Sequence, residues 1–150
     1  MPEKETLRRA RADKRAGKST STQAGEFVRE EMHHVREGKH GARNTKQAIA
    51  IGLSKARRAG VKLPPPKGAK ASTRRSAASA ARAGRRQAKP APRRSRAVTN
   101  ALRREGHRAA SRKALSRQAK SAARRRSARS RSAAAKKAAR TRQRRAAPSA

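Results

Sequence analysis

Histidine side chains are the first feature of this sequence that could do chemistry, because imidazole nitrogens bind transition metals. Three of them lie close together at His33, His34 and His40. Gly38 is expected to end a helix between the second and the third, and no cysteine or well-spaced carboxylate completes a set of four ligands. We therefore predict solvated histidines, with no metal site and no cofactor.

A second candidate is the adjacent pair Glu30 and Glu31, since paired carboxylates can act as general acid and base. Neighbouring residues on a helix point about 100° apart, and the sequence offers no pocket around these two. Both are expected to be surface charges. The sequence also lacks a glycine-rich phosphate loop preceded by a strand. We predict that the protein is not an enzyme.

Basic residues dominate the composition and are unevenly distributed. The 150 residues include 45 Lys and Arg against 8 Asp and Glu, a formal net charge of +37 at pH 7. Residues 1–37 carry nine basic and seven acidic side chains, whereas residues 38–150 carry 36 basic side chains and a single acid, Glu105. Such one-sided charge repels itself unless a polyanion compensates it. Because guanidinium groups bind phosphate oxygens bidentately, nucleic acid is the expected partner, with DNA favoured over RNA.

Arginines are the residues expected to contact the phosphates, without reading the base sequence. In the basic region they are Arg74, Arg75, Arg85, Arg86, Arg93, Arg94, Arg96, Arg103, Arg104, Arg124, Arg125, Arg126, Arg129, Arg131, Arg142, Arg144 and Arg145. Arg57 and Arg58 join this set from the second predicted helix, where a folded element could present them to base edges. Phosphorylation of Ser127, Ser130 or Ser132 would lower the positive charge of the tail.

Large apolar residues are too few to fold most of the chain. Leu, Ile, Val and Phe number 12, or 8% of the sequence, against the roughly 20% below which highly charged chains stay disordered. The 35 alanines supply helix propensity more than core. The predicted fold class is mostly disordered or conditionally helical, with a small all-α helical hairpin, an Ala/Arg-rich tail and no β-sheet.

Other classes of protein are excluded by what the sequence lacks. No apolar run approaches the roughly 20 residues of a membrane span, and the first residues lack the apolar segment of a secretory signal. The near absence of aromatic residues leaves no stacking platform for single-stranded bases. We expect no membrane association and a cytoplasmic, nucleoid-associated location in a bacterial cell.

Charge and composition divide the chain into four segments. A mixed-charge lead covers residues 1–21, and a small helical module covers residues 22–63. A proline hinge at residues 64–66 separates the module from a polycationic, low-complexity tail at residues 67–150.

Apolar periodicity is confined to the module, where it predicts helices at about residues 25–37 and 45–59 that pack as a hairpin. Asn44 is expected to cap the second helix, Gly60 to end it, and Gly52 to let another backbone approach closely. So small a module could require a homodimer partner or a ligand to fold. Its predicted packing residues are Phe27, Val28, Met32, Val35, Ile49, Leu53, Ala56 and Val61.

The module also carries a motif, KQAIAIGLSKARRAG at residues 46–60, within the stretch 44–63. This stretch resembles the core of a family of small, basic bacterial proteins of unknown function, some of whose members are described as DNA-binding. The resemblance covers about residues 22–66 and implies no mechanism. Separately, the tail resembles those of linker histones and bacterial histone-like proteins in its composition.

Together these features predict a histone-like or nucleoid-associated protein that binds DNA without sequence specificity through its Arg/Lys tail. One alternative is an RNA-binding or ribosome-associated factor, since charge does not distinguish the two polyanions. A second alternative is an adaptor whose module binds a partner protein while the tail anchors it on nucleic acid.

Overall fold

The computed structural model describes residues 1–87, 89 and 91–146. For residues 145 and 146 it describes the backbone but not the side chains. It consists of helices joined by short loops, and no strand occurs among these residues, which confirms the prediction of an all-α fold. Two compact units are present, Met1–Ala114 and Leu115–Ala150. The helices are α1 (Lys4–Arg15), α2 (Thr20–Arg36), α3 (Thr45–Arg58), α4 (Ala71–Arg85), α5 (Pro92–Arg103), a 3-10 turn (Arg108–Ala110), α6 (Arg112–Arg124) and α7 (Ala128–Ala146).

Both ends of α3 are set by the residues that the sequence indicated. Asn44 Oδ1 accepts a hydrogen bond of 2.9 Å from the amide three residues on and so caps the start of the helix. At the other end, Gly60 adopts a φ of 89°. Its N–H donates to the Arg57 carbonyl at 3.1 Å, and the N–H of Val61 donates to the Ala56 carbonyl at 3.0 Å. These two bonds form a Schellman motif.

Helices α2 and α3 pack against each other as the predicted hairpin. Gly52 lies at their closest approach, because a Cβ on this residue would lie 2.7 Å from the Cα of Val28. The packing residues fall into two groups, four of them buried (Phe27, Met32, Val35 and Ala56) and four half-buried (Val28, Ile49, Leu53 and Val61).

Alanine supplies most of the core. Ala10, Ala24, Phe27 and Ala56 form one buried cluster drawn from α1, α2 and α3, so the N-terminal helix packs on the hairpin. Nine of the twelve buried hydrophobic residues in the described structure are alanines. This corrects the expectation that Ala supplies helix rather than core, because small side chains let helix backbones approach closely and fill the interior themselves.

Part of the predicted tail also packs on the hairpin through buried alanines. Ala77 and Ala80 are buried on α4, which lies against α3. Near the end of α4, Gly84 approaches the Arg57 carbonyl so closely that a Cβ could not fit. The 3-10 turn contacts both α2 and α3, and its Ala110 is fully buried.

Hydrogen bonds fix the stretch 102–110 to the hairpin. Four backbone carbonyls of this stretch accept them: Leu102 O from Gly41 N (2.9 Å), Gly106 O from Ala42 N (3.0 Å), Ala109 O from Thr45 Oγ1 (2.7 Å) and Ala110 O from Arg36 Nε (2.9 Å). The charge segments and the structural units therefore do not coincide, since the first unit continues through the proline segment and on to Ala114.

The prediction of a mostly disordered chain is wrong. Residues 67–146 contain α4 to α7, because Ala and Arg both have high helix propensity and because small residues dock α4 and the 3-10 turn without large apolar side chains. The second unit, Leu115–Ala150, holds α7 and most of α6. None of its described side chains is buried.

Candidate nucleic-acid interface

Exposed arginines occupy α4, α5 and the loops beside them in the first unit. Helix α5 has proline at its N-terminus, where the missing N–H costs nothing, and no residue of α5 is buried. Its arginines are therefore free to face solvent. The predicted phosphate-binding residues of this unit that are exposed are Arg58, Arg74, Arg75, Arg85, Arg86, Arg93, Arg94, Arg96, Arg103 and Arg104.

The second unit presents its arginines on α7 and in the turn before it. Ser127 Oγ accepts a hydrogen bond of 3.2 Å from the amide of Ser130 and so caps α7. The Arg126 guanidinium donates to Ser130 Oγ at 3.1 and 3.2 Å. The exposed arginines predicted to bind phosphates here are Arg124, Arg125, Arg126, Arg129, Arg131, Arg142 and Arg144, and the side chain of Arg145 lies outside the described residues.

None of these exposed arginines forms an ion pair among the described residues, although Glu105 directly follows Arg104. Every ion pair of the described chain joins side chains between Glu3 and Lys55. The described basic residues after Lys55 therefore have no ion-pair partner, and Glu105 is the single acid among them, so most of their charge is available to an external anion.

Arg57 is the exception, because its guanidinium binds carbonyls within the fold and is not presented to an external phosphate. The side chain is buried, with 8% exposure. Its Nε donates to the Leu63 carbonyl at 2.9 Å and an Nη to the Pro64 carbonyl at 3.5 Å. Burial lowers its pKa. Arg57 holds the loop that follows α3, and of the two neighbouring arginines only Arg58 is exposed.

Carboxylates cluster elsewhere, in the first unit, and the expectation that Glu30 and Glu31 are surface charges is wrong. Their exposures are 4% and 0%. Lys55 of α3 explains this burial, since its Nζ lies 3.2 Å from Glu30 Oε1 and 2.7 Å from Glu31 Oε2. Burial raises the pKa of Glu30, but hydrogen bonds and the Lys55 charge outweigh it, so the pKa lies below its ordinary value.

Two of the three neighbouring histidines join this carboxylate cluster, which corrects the prediction of solvated histidines. His33 is exposed, whereas the side chains of His34 and His40 are only 12% and 14% exposed. His34 Nε2 lies 2.8 Å from Glu3 Oε1, and His40 Nε2 lies 2.9 Å from Glu31 Oε1. Hydrogen bonds from His34 and from Lys39 lower the pKa of Glu3 to about 2.

Sequence periodicity missed this cluster because its members come from four different places in the chain. Lys55 is the one residue that could have indicated the cluster from the sequence, because it is a lysine on the face of α3 that packs against α2.

No helix among the described residues is long and apolar enough to cross a bilayer.

Comparison with known protein families finds a match to part of the chain. Residues 11–67 match the model of a family described as a family of unknown function (DUF6496). The matched segment runs from α1 to just beyond the proline segment and contains the motif at residues 46–60. No curated protein and no solved structure matches the chain. The resemblance to a family of unknown function is thus confirmed over residues 11–67, which are similar to DUF6496.

Proposed function

We propose that this protein binds nucleic acid, DNA in preference to RNA, by neutralising phosphates through the exposed arginines that follow residue 70. The observation that carries the proposal is the contrast in charge pairing. Ion pairs of the described chain end at Lys55, while exposed arginines continue along α4, α5 and α7. Guanidinium forks without internal partners bind phosphate oxygens bidentately, and a duplex carries one charge per about 1.7 Å of its axis.

Binding without sequence specificity follows from where these arginines lie. Reading bases requires several side chains held together in a groove by one folded element. Arg57 is excluded by its burial, which leaves Arg58 alone on α3. The other arginines are distributed over separate helices and loops, an arrangement suited to backbone contacts. A histone-like, nucleoid-associated role in a bacterial cytoplasm agrees with this mode of binding.

Matched charge-removal variants of the full chain test the proposal. One variant carries Arg93→Gln, Arg94→Gln and Arg96→Gln on α5, and the control carries Arg11→Gln, Lys14→Gln and Arg15→Gln on α1. All six side chains are exposed, so both variants remove three surface charges. Affinity for a labelled 20-base-pair DNA is measured by fluorescence anisotropy at several salt concentrations.

We expect the α5 variant to bind at least 10-fold more weakly than the wild type and the α1 control to change by less than about 3-fold. Equal losses in the two variants would mean that net charge alone governs binding and would reject an interface after residue 70. An RNA duplex of the same sequence serves as competitor. Stronger competition by RNA than by DNA would favour the ribosome-associated alternative.

Partner binding by the module remains a separate prediction. Phe27 and Val35 are buried within a single chain, at 1% and 0% exposure, so a second copy is not needed to cover them. Ile49 and Leu53 are half-buried and are the residues through which an adaptor or a homodimer would act. Sedimentation of the wild type and of Ile49→Ser tests this prediction, since a monomer in both cases contradicts dimerisation through the module.

A further inference from the structure

Glu31, His34 and His40 meet at one point of the first unit. Each offers a ligand atom, and these atoms all lie within 4.8 Å of one another. Glu31 and His34 are three residues apart on α2 and share a face of the helix, while His40 follows Gly38, whose φ of 75° turns the chain back after α2. The turn that was expected to separate the histidines brings them together.

Glu31 is the buried member of the cluster. Its exposure is 0%, and neither carboxylate oxygen accepts a hydrogen bond of good geometry. His40 Nε2 and Lys55 Nζ approach the two oxygens closely, at 2.9 and 2.7 Å, but neither contact meets hydrogen-bond geometry. A fully buried carboxylate is costly without well-made bonds to both oxygens. The oxygen that faces His40 therefore lacks a suitable cationic or proton-donating partner.

The position of the proton on His40 decides whether its Nε2 can donate to Glu31. Its Nδ1 lies 3.0 Å from the carbonyl oxygen of Gly41, and because a carbonyl only accepts, Nδ1 carries the hydrogen. In the neutral ring Nε2 then presents a lone pair to Glu31 Oε1, 2.9 Å away. Two such acceptors repel each other unless a proton or a metal ion lies between them. A ring whose second nitrogen donates to a backbone carbonyl is the usual arrangement of a metal-bound histidine.

We propose that Glu31, His34 and His40 bind one Zn²⁺ ion. Two imidazoles and one carboxylate suit this borderline cation, and a water molecule would supply the fourth ligand of a tetrahedral site. Bond lengths of about 2.0–2.2 Å place the ligand atoms of a tetrahedral site roughly 3.3–3.6 Å apart. That spacing lies between the 2.9 Å from His40 Nε2 to Glu31 Oε1 and the 4.8 Å limit for all three ligand atoms. Small side-chain rotations are enough to close the site around the ion.

The neighbouring carboxylates of Glu3 and Glu30 favour a cation at this place, whereas the charge of Lys55 opposes one. Lys55 remains beside Glu31 Oε2 and Glu30, so it orients the ligating carboxylate from the outside. The Glu3 carboxylate holds the His34 ring through Nε2 at 2.8 Å. The ion would join α2 and the loop at residues 39–41, while Glu3 links α1 to the same place, and its role would be structural.

Zinc titration of the full chain tests the proposal. The protein is purified free of nucleic acid and metal, and ZnCl₂ is titrated by calorimetry into the wild type, Glu31→Gln, His34→Ala and His40→Ala. His33→Ala is the matched control, because His33 neighbours His34 on α2 but is exposed. Circular dichroism establishes that each variant keeps its helices. The visible absorption of Co²⁺ added to the wild type and to His33→Ala reports the coordination geometry and does not require the other variants to fold.

We expect one Zn²⁺ per chain, a loss of affinity of about 10-fold or more in each of the three ligand variants, and no loss in His33→Ala. Co²⁺ should give the intense visible bands of a tetrahedral site. Absence of stoichiometric zinc binding would overturn the proposal and assign a proton to the space between His40 and Glu31. Equal weakening by His33→Ala, or the weak spectrum of octahedral Co²⁺, would also overturn it.

Discussion

The hairpin with its N-terminal helix and the unit Leu115–Ala150 are both rich in Ala and charged residues, yet they differ in what they bury. In the first region, Phe27 and Ala56 are covered by neighbouring helices, and Glu31 is buried beside Lys55. In the second, no described side chain is buried. The arginines of this unit that are predicted to bind phosphates are exposed, apart from Arg145, whose side chain lies outside the described residues. Alanine content does not explain this contrast, because Ala is abundant in both regions. Large apolar side chains do differ, since Leu115 is the only Leu, Ile, Val, Met or Phe in residues 115–150.

Two further features contribute to the difference. Carboxylates occur in the first region, so its cations have partners that lie inside the fold. Glycine at a helix contact, as at Gly52, lets backbones meet where large side chains are missing. The unit Leu115–Ala150 contains neither Asp, Glu nor Gly. Its helices therefore bury none of their described side chains, and their described arginines and lysines are exposed.

Salt should produce the largest contrast between the two regions. With about eight or more phosphate contacts, DNA affinity is expected to fall roughly 10⁴-fold or more between 50 and 200 mM salt, with a slope near −0.9 per contact. The buried pairs of Lys55 are screened much less, so the thermal unfolding midpoint of the first unit should change little. Anisotropy titrations and circular dichroism melts measure both quantities. A shallow slope would contradict phosphate neutralisation.

The second largest contrast between the two regions is expected in the free energy of unfolding after an apolar side chain is truncated. Phe27→Ala removes the one aromatic side chain from a site that is 1% exposed, at an expected cost of about 3 to 5 kcal/mol. Leu115→Ala, at a half-buried position of the second unit, should cost less than about 1 kcal/mol. Urea unfolding followed by circular dichroism gives both values. Similar costs at the two positions would mean that the second unit has a core of its own.

A pair of glycines on the hairpin tests the close backbone contact. Gly52→Ala places a methyl 2.7 Å from the Cα of Val28 and should destabilise the fold by about 1 to 3 kcal/mol. Gly25→Ala has nothing within 4 Å of the new methyl and should stabilise α2 by about 0.5 to 1 kcal/mol. Thermal melts of the two variants should move in opposite directions. If both move upward, the hairpin is looser than the structure shows.

Helix caps should give the smallest effects. Asn44→Ala removes the cap of α3 and should cost about 1 kcal/mol, because α3 packs on both α2 and α4. Ser127→Ala removes the corresponding cap of α7 and should leave the main unfolding transition within about 0.5 kcal/mol. Its effect should be confined to a small loss of helicity. A shift of the main transition by Ser127→Ala would show that α7 unfolds together with the first unit.

Local signals were enough to predict parts of this fold. The cap at Asn44, the end at Gly60 and the close approach at Gly52 follow from residue types and helical spacing alone. Burial of Arg57 did not, because its acceptors are carbonyls of the loop that follows, which only the folded chain brings into place. Burial of Glu31 likewise depends on Lys55 and His40, and docking of α4 depends on alanines whose contribution to a core was underestimated.

Hydrogen bonds from Arg36 and Thr45 to the 3-10 turn cannot form until that later part of the chain has been synthesised. Thr45 donates to a carbonyl 64 residues later in the chain, and Arg36 to one 74 residues later. At translation rates of about 5–20 residues per second, the acceptor of Thr45 is made roughly 3 to 13 s after Thr45 itself. During that interval the hairpin leaves the ribosome with its Thr45 hydroxyl and the Gly41 amide exposed to water. The arginine-rich stretch up to Ala110 must therefore be synthesised before the N-terminal fold is complete.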